Sequence, residues 1–177
     1  MTKELQEEII SSEKIYTGKV ISLRRDTVRL SNGKTAAREV VEHPGATAVV
    51  ALTEAGEVLL VEQYRRPADE VLLEIPAGKL EPGEAPLACA RRELAEETGF
   101  GAAEWEKLGE FYTAPGFADE KIHLFLARKL TPAVERPDED ELINLRRIPL
   151  ARAREMARSG QFADAKTIVG VCLCPEA

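Results

Sequence analysis

The sequence predicts an α/β fold, an α/β/α sandwich around a mixed sheet with a small N-terminal β lobe. Three observations predict it. Strand-like runs are mixed with three helical stretches rather than alternating with them one for one. A Pro-Gly break after His43 separates a short β-rich start, residues 1–44, from the remaining chain, residues 45–177. One helix, near the middle, carries a face made of carboxylates.

In the N-terminal lobe, Ile15 to Leu23 and Thr27 to Leu30 are strand-like, Asn32-Gly33 is a hairpin turn, and Thr35 to Glu42 returns as a strand. The lobe is too small to bury much surface alone, so it is expected to pack on the main domain or on a second subunit. Next come Ala48 to Leu52 and Val58 to Tyr64 around Ala55-Gly56, a hairpin of buried strands, and then Val71 to Ala77 as one strand. Pro86 suits a first helical turn and Gly99 a left-handed stop, which bounds a helix from about Ala85 to Thr98. Trp105 to Tyr112 and Lys121 to Ala127 read as strands on either side of a loop, Thr113 to Glu120. Residues 131–141 are polar and acidic and read as a mobile surface loop. Leu142 to Ile148 is a short strand, Pro149 to Ser159 a helix stopped by Gly160, and Asp164 caps a final helix.

The chain has 177 residues, 44% of them hydrophobic and 31% charged, and a net charge of -7. That balance describes a globular protein and argues against general nucleic-acid or membrane-surface binding. No stretch approaches the length of a bilayer span, and the first ten residues show no basic segment followed by an apolar run, so a cytoplasmic location is expected. Cys89, Cys172 and Cys174 lack metal-ligand spacing and read as buried free thiols. His43 and His123 have no partner constellation and read as structural.

The central helix places Glu93, Glu96 and Glu97 on one face with Cys89, while Leu87, Ala90 and Leu94 form a separate apolar stripe. Like charges at i,i+4 destabilise a helix by a few tenths of a kcal/mol, roughly, so Glu93 and Glu97 are expected to face something positive. A hard divalent cation held by carboxylates and substrate phosphates is one such partner. A neighbouring Arg91, Arg92 or Lys107 is the other.

Gly78, Glu84, Arg92, Glu93, Glu96, Glu97 and Gly99, with Leu94 and Phe100, resemble the Nudix hydrolase signature position for position. With each identity near roughly 6% by average usage, seven such matches arise by chance about once in 10⁸ starts. The resemblance implies a loop-helix-loop in which Gly78 allows the tight turn. It also implies metal ligation by Glu93, Glu97 and the carbonyl of Ala77, with Glu96 completing the cluster and Arg92 and Glu84 orienting it. Mg²⁺ is the implied cofactor, Mn²⁺ a substitute.

Further stretches resemble the ADP-sugar pyrophosphatase branch. These are Gln63-Tyr64-Arg65 with Arg66, where an arginine binds the diphosphate or the terminal ribose, and Pro115-Gly116-Phe117, running on to Glu120, with Pro115 placed 16 residues after Gly99. Arg38 matches a substrate-contacting arginine of the lobe, which a homodimer would supply from the neighbouring subunit. The general base in that branch comes from a later loop, here Asp138 to Ile143, which points to Glu141, then Glu139, then Glu96. The implied activity is hydrolysis of ADP-ribose to AMP and ribose 5-phosphate. The alternatives are another nucleoside diphosphate sugar or dinucleoside polyphosphate as substrate, or a non-catalytic ligand-sensing domain. Such sensors usually carry a broken acidic cluster, whereas all three glutamates stand here.

Overall fold

The computed structural model describes residues 5–133 and 142–176. The chain forms two compact units, Met1–Gly45 with Tyr112–Lys121, and Ala46–Phe111 with Ile122–Ala177.

The first unit holds a three-stranded antiparallel sheet of β1 (Glu8–Thr17), β2 (Ser22–Arg29) and β3 (Thr35–Glu42). The sequence suggested one strand from Ile15 to Leu23. Instead the chain turns at Gly18, whose N–H donates to the Ile21 carbonyl at 2.9 Å, and β1 extends back to Glu8. Every residue of β1 is exposed, so no burial alternation marks it in the sequence. Exposed ion pairs stand directly opposite along it: Glu13 with Arg25 at 2.6 Å and Glu8 with Arg29 at 3.1 Å. Asn32-Gly33 makes the expected turn, with Gly33 at φ 81°. The segment after Tyr112 belongs to this unit because it pairs with β3: the Val41 N–H donates to the Phe117 carbonyl at 2.7 Å, and the Asp119 N–H to the Val41 carbonyl at 3.1 Å.

The second unit is built on a seven-stranded mixed sheet. Its centre is β4 (Ala46–Leu52), buried over its whole length. A turn at Gly56 leads to β5 (Glu57–Arg65), antiparallel to β4, and β6 (Glu70–Glu74) pairs with β5. The single strand expected from Val71 to Ala77 is in fact two. Pro76 has no N–H to donate and stands at the break, after which β7 (Ala77–Lys79) pairs with β4 rather than β5. Helix α1 (Pro86–Thr98) has Pro86 in its first turn and Gly99 at φ 70°, donating its N–H to the Ala95 carbonyl, as the sequence predicts.

β8 (Phe100–Tyr112) begins directly after that cap, five residues before the expected Trp105, and β9 (Lys121–Pro132) runs parallel to β4. β10 (Asn144–Pro149) pairs with β5 and leads into α2 (Leu150–Arg158). α3 (Ala165–Leu173) is capped by Asp164, whose carboxylate accepts from the Thr167 N–H. The expected loop over residues 131–141 falls mostly on residues outside the described ones.

Alternation along β4 explains the layers. Val49 and Ala51 face one side and pack with Leu59, Phe125, Ala90 and Leu94, so α1 covers that face. Val50 and Leu52 face the other and pack with Leu60, Leu124, Leu150 and Val171, so α2 and α3 cover it. The α/β/α sandwich follows. Helix α3 lies close enough that a Cβ on Gly170 would stand 2.9 Å from Ile75 Cδ1 and 3.0 Å from Val50 Cγ2. Cys89 and Cys174 are buried thiols, but Cys172 is exposed, which corrects the reading of all three as buried. Among the described residues no helix is long and apolar enough to cross a membrane.

Candidate active site

The carboxylate face of α1 lies over β7, and the two elements fit through a glycine. A Cβ built on Gly78 would fall 1.9 Å from the Glu93 carboxyl carbon. Gly78 is paired with Thr47 in an extended strand, and its φ is not among the positive values in the chain. This glycine is therefore required for the close approach of Glu93 rather than for a tight turn, which corrects the role implied by the resemblance.

Glu97 is almost fully buried at 3% exposure, and its Oε2 accepts from the Ala77 N–H at 3.0 Å. That bond fixes the carboxylate against Ala77, the first residue of β7.

Arg92 organises the other acids. Its Nε and Nη2 donate to the two oxygens of Glu84 at 3.1 and 3.0 Å, and its Nη1 donates to Glu93 at 2.8 Å and to Glu96 at 2.9 Å. Of the pair Glu93 and Glu97 expected to face something positive, Glu93 does so through Arg92, which joins it to Glu84 and Glu96, while Glu97 accepts from the Ala77 N–H. The hydrogen bond to Glu84 is the main cause raising the Arg92 pKa. The same bond holds Glu84 far below the ordinary carboxylate range, at about 2.

That depression has a pH signature. Between 4.5, the ordinary value, and about 2, the unfolded chain takes up a proton that folded Glu84 refuses, so the contribution to stability is complete above this window and is lost as pH falls through it. Urea midpoints measured against pH are expected to fall less steeply across this window in Glu84→Gln than in the parent. Identical slopes would show that the ion pair is not formed in solution.

Cys89 sits under this cluster, its Sγ 3.4 Å from the Lys79 carbonyl, and burial pushes its thiol up to about 11, so it is no nucleophile.

The oxygen-only set of Glu93, Glu96 and Glu97 suits Mg²⁺ or Mn²⁺ in donor chemistry, and the Gly78 cradle leaves room for Glu93 beside the strand end. Among the described residues, however, no three acidic, His or Cys side chains are gathered as a ready cation cage. Two of the three acids are engaged by Arg92, and the third is turned to the Ala77 N–H.

Of the other sequence-derived residues, Arg65 makes a two-pronged contact with Glu74, Nε to Oε1 at 2.8 Å and Nη2 to Oε2 at 2.7 Å. Arg66 is 82% exposed at the β5–β6 turn, paired with Asp69 at 2.9 Å. In the first unit, Arg38, Pro115 and Gly116 line one cavity of about 530 Å³ with Tyr112 and Phe117. Arg38 donates to Glu7, and Glu120 accepts from the Thr113 hydroxyl at 2.6 Å. The carboxylates of α1 and the Arg38 cavity belong to different units. Glu139 and Glu141 lie outside the described residues.

Sequence reasoning missed Glu74 and Lys166. Glu74 is 1% exposed and Lys166 donates to it and to Asp164, the latter at 2.9 Å. The available signal was a lone acid inside the apolar run Leu72-Leu73-Glu74-Ile75, which demands a buried cation.

The NUDIX domain model matches residues 35–168 and the model of the nucleoside diphosphate sugar hydrolase N-terminal domain matches residues 7–41. The chain is 46% identical over 171 residues to an ADP-ribose pyrophosphatase of Bacillus subtilis (strain 168), covering 96% of this chain and 92% of that one. It is 44% identical over 173 residues to a methanol dehydrogenase activator of Bacillus methanolicus, covering 97% and 94%. A crystal structure of an ADP compounds hydrolase matches with a TM-score of 0.85 at 26% identity, covering 97% of this chain and 94% of that one. With a family model spanning most of its length and the signature acids assembled around Gly78 and Arg92, the chain belongs to the Nudix family.

Proposed function

We propose that the protein is a cytoplasmic, Mg²⁺-dependent hydrolase that splits the pyrophosphate of ADP-ribose into AMP and ribose 5-phosphate. The observation that carries this reading is the acid face of α1 held against β7: buried Glu97 on the Ala77 N–H, Glu93 in the Gly78 cradle, and Arg92 bracing Glu93 and Glu96. The relation to the Bacillus subtilis ADP-ribose pyrophosphatase supports the substrate, and the unpaired cysteines are consistent with a reducing compartment.

Water attacks one phosphorus and the bridging P–O bond breaks, so negative charge grows on the phosphoryl oxygens and the leaving phosphate. A divalent cation held by Glu93, Glu96, Glu97 and the Ala77 carbonyl would neutralise that charge and acidify a bound water. Arg92 and Glu84 fix the directions of the ligand carboxylates, and such supporting contacts are typically worth about 10–100-fold in metal affinity or activity. Glu141, then Glu139, then Glu96, are the candidate bases for the water. Arg65 is the cation for the diphosphate, a planar donor group suited to phosphate oxygens. Arg38, Arg66, Pro115, Gly116 and Glu120 are further candidate substrate contacts.

The chain is further read as a homodimer through the lobe, where β1 leaves Ile9, Ile10, Ile15 and Tyr16 exposed to solvent.

Turnover of ADP-ribose, ADP-glucose, GDP-mannose and diadenosine polyphosphates is compared with and without Mg²⁺, alongside sedimentation of the same sample. The expected result is AMP release fastest from ADP-ribose, dependent on Mg²⁺, by a dimer. Preference for another diphosphate would overturn the substrate, a monomer would overturn the assembly, and no turnover of any of them would favour a ligand-sensing domain.

A further inference from the structure

A second charged cluster, around Glu74, joins Arg65, Lys166 and Asp164. Buried ion clusters are weak stabilisers compared with apolar side chains of the same size, while removal of one member leaves a buried charge uncompensated. What such a cluster does supply is a fixed direction for the groups it holds.

Glu74 uses both oxygens on the Nε and Nη2 edge of Arg65. The geometry is a planar, two-bond clamp, and it leaves both N–H groups of Nη1 and the second N–H of Nη2 without a protein hydrogen bond among the described residues. Glu74 is in turn fixed from behind by Lys166, and Lys166 by Asp164 at 2.9 Å. Asp164 caps α3 by accepting from the Thr167 N–H at 2.9 Å, and the Thr167 hydroxyl accepts from the Ile75 N–H at 2.8 Å. The residue after Glu74 is therefore tied to the same helix start. Two residues further on, the Ala77 N–H meets Glu97 at 3.0 Å. The charge of Arg65 is stabilised first by Glu74 and at longer range by Glu97, which puts the clamped guanidinium within electrostatic reach of the acid face.

We propose that Glu74 is a positioning residue for the reaction: it clamps one edge of Arg65, backed by Lys166, so that the remaining N–H groups on the Nη1 and Nη2 edge are presented in a fixed direction to the substrate diphosphate. This rests on the reading of Arg65 as a diphosphate contact. Arg65 works on the substrate, and Glu74 works only through Arg65.

A double-mutant cycle on the full chain tests it, with kcat and KM for ADP-ribose measured in Arg65→Ala, Glu74→Gln and the double variant. Arg65→Ala is expected to lower kcat/KM by about 100-fold and Glu74→Gln by about 10-fold, each mainly through KM, while the double variant is no worse than Arg65→Ala alone. Glu74→Asp, which keeps the charge but is too short for the clamp, is made in both backgrounds as well, so that the cycle can be completed if the buried amide prevents folding. A merely structural Glu74 would lower activity by the same factor with or without Arg65, and that additivity would overturn the proposal while leaving Arg65 in place. Unchanged kcat/KM in Arg65→Ala would instead remove Arg65 from the substrate, and the proposal with it.

Discussion

Glu97→Gln is expected to lower kcat/KM for ADP-ribose by a factor on the order of 10³ while the protein stays folded. The substitution separates charge from shape. Gln has the same length and keeps a carbonyl oxygen, so it can still accept from the Ala77 N–H that holds Glu97 at 3.0 Å. What it loses is the negative charge, and a neutral amide oxygen is a much poorer partner for a divalent cation.

The new amide donors enter a position that is 3% exposed, which destabilises by roughly 1–3 kcal/mol if they find no acceptor. That is less than the total stability of an ordinary domain, about 5–15 kcal/mol, so most of the protein remains native. The measurement is steady-state hydrolysis across a Mg²⁺ titration, with thermal unfolding on the same sample. Parent-like rates and an unchanged Mg²⁺ dependence would remove Glu97 from the site.

The reason Glu97 could be singled out before the fold was known is local. Pro86 and Gly99 mark the two ends of α1 by chemistry that needs no tertiary partner, and once the ends are set the helical period dictates which residues share a face. The β4–β5 hairpin was legible for the same reason, through the Ala55-Gly56 turn. Features set by distant pairing were not legible. Val71 to Ala77 has the composition of one strand, and only the presence of two different neighbours, β5 and β4, divides it at Pro76. Strand β1 buries no residue, so the alternation that usually reveals a strand is missing. Arg65 stood out only through its resemblance to the ADP-sugar branch, and its clamp joins residues 9 apart along two strands and a lysine 92 residues beyond Glu74. The attachment of the Thr113 to Glu120 loop to β3 likewise depends on backbone bonds to Val41.

Gly78 illustrates the limit most directly, and its replacement is the second large effect. A signature glycine before a helix reads as a turn residue, yet the structure places it in an extended strand with the Glu93 carboxyl where a side chain would begin. Backbone strain is therefore not the issue in Gly78→Ala. The conflict is between a new Cβ and the Glu93 carboxyl, whose carbon would be 1.9 Å away and whose oxygens would be 1.9 and 2.3 Å away. No contact that short survives, so one partner moves. Glu93 is the freer of the two, since its carboxyl ends a side chain whereas Gly78 is paired with Thr47 in the sheet.

Rotation of Glu93 breaks its 2.8 Å bond to Arg92 and carries one of the three candidate ligands away from the strand end. Activity is expected to fall by about 10²-fold or more, the consequence of losing a placed ligand. Stability is expected to change by only about 1–3 kcal/mol, the usual effect of overpacking. Gly83→Ala gives the opposite pattern. Gly83 has φ 79° and nothing within 4 Å of a new Cβ, so its substitution strains the backbone and lowers the unfolding midpoint while leaving the acid face undisturbed. Measuring kcat/KM and denaturation midpoints on both variants distinguishes a spatial requirement from a conformational one. If Gly78→Ala kept parent-like activity and lost only stability, Glu93 would not need the cradle, and the packing of α1 on β7 would have no part in placing the candidate metal ligands.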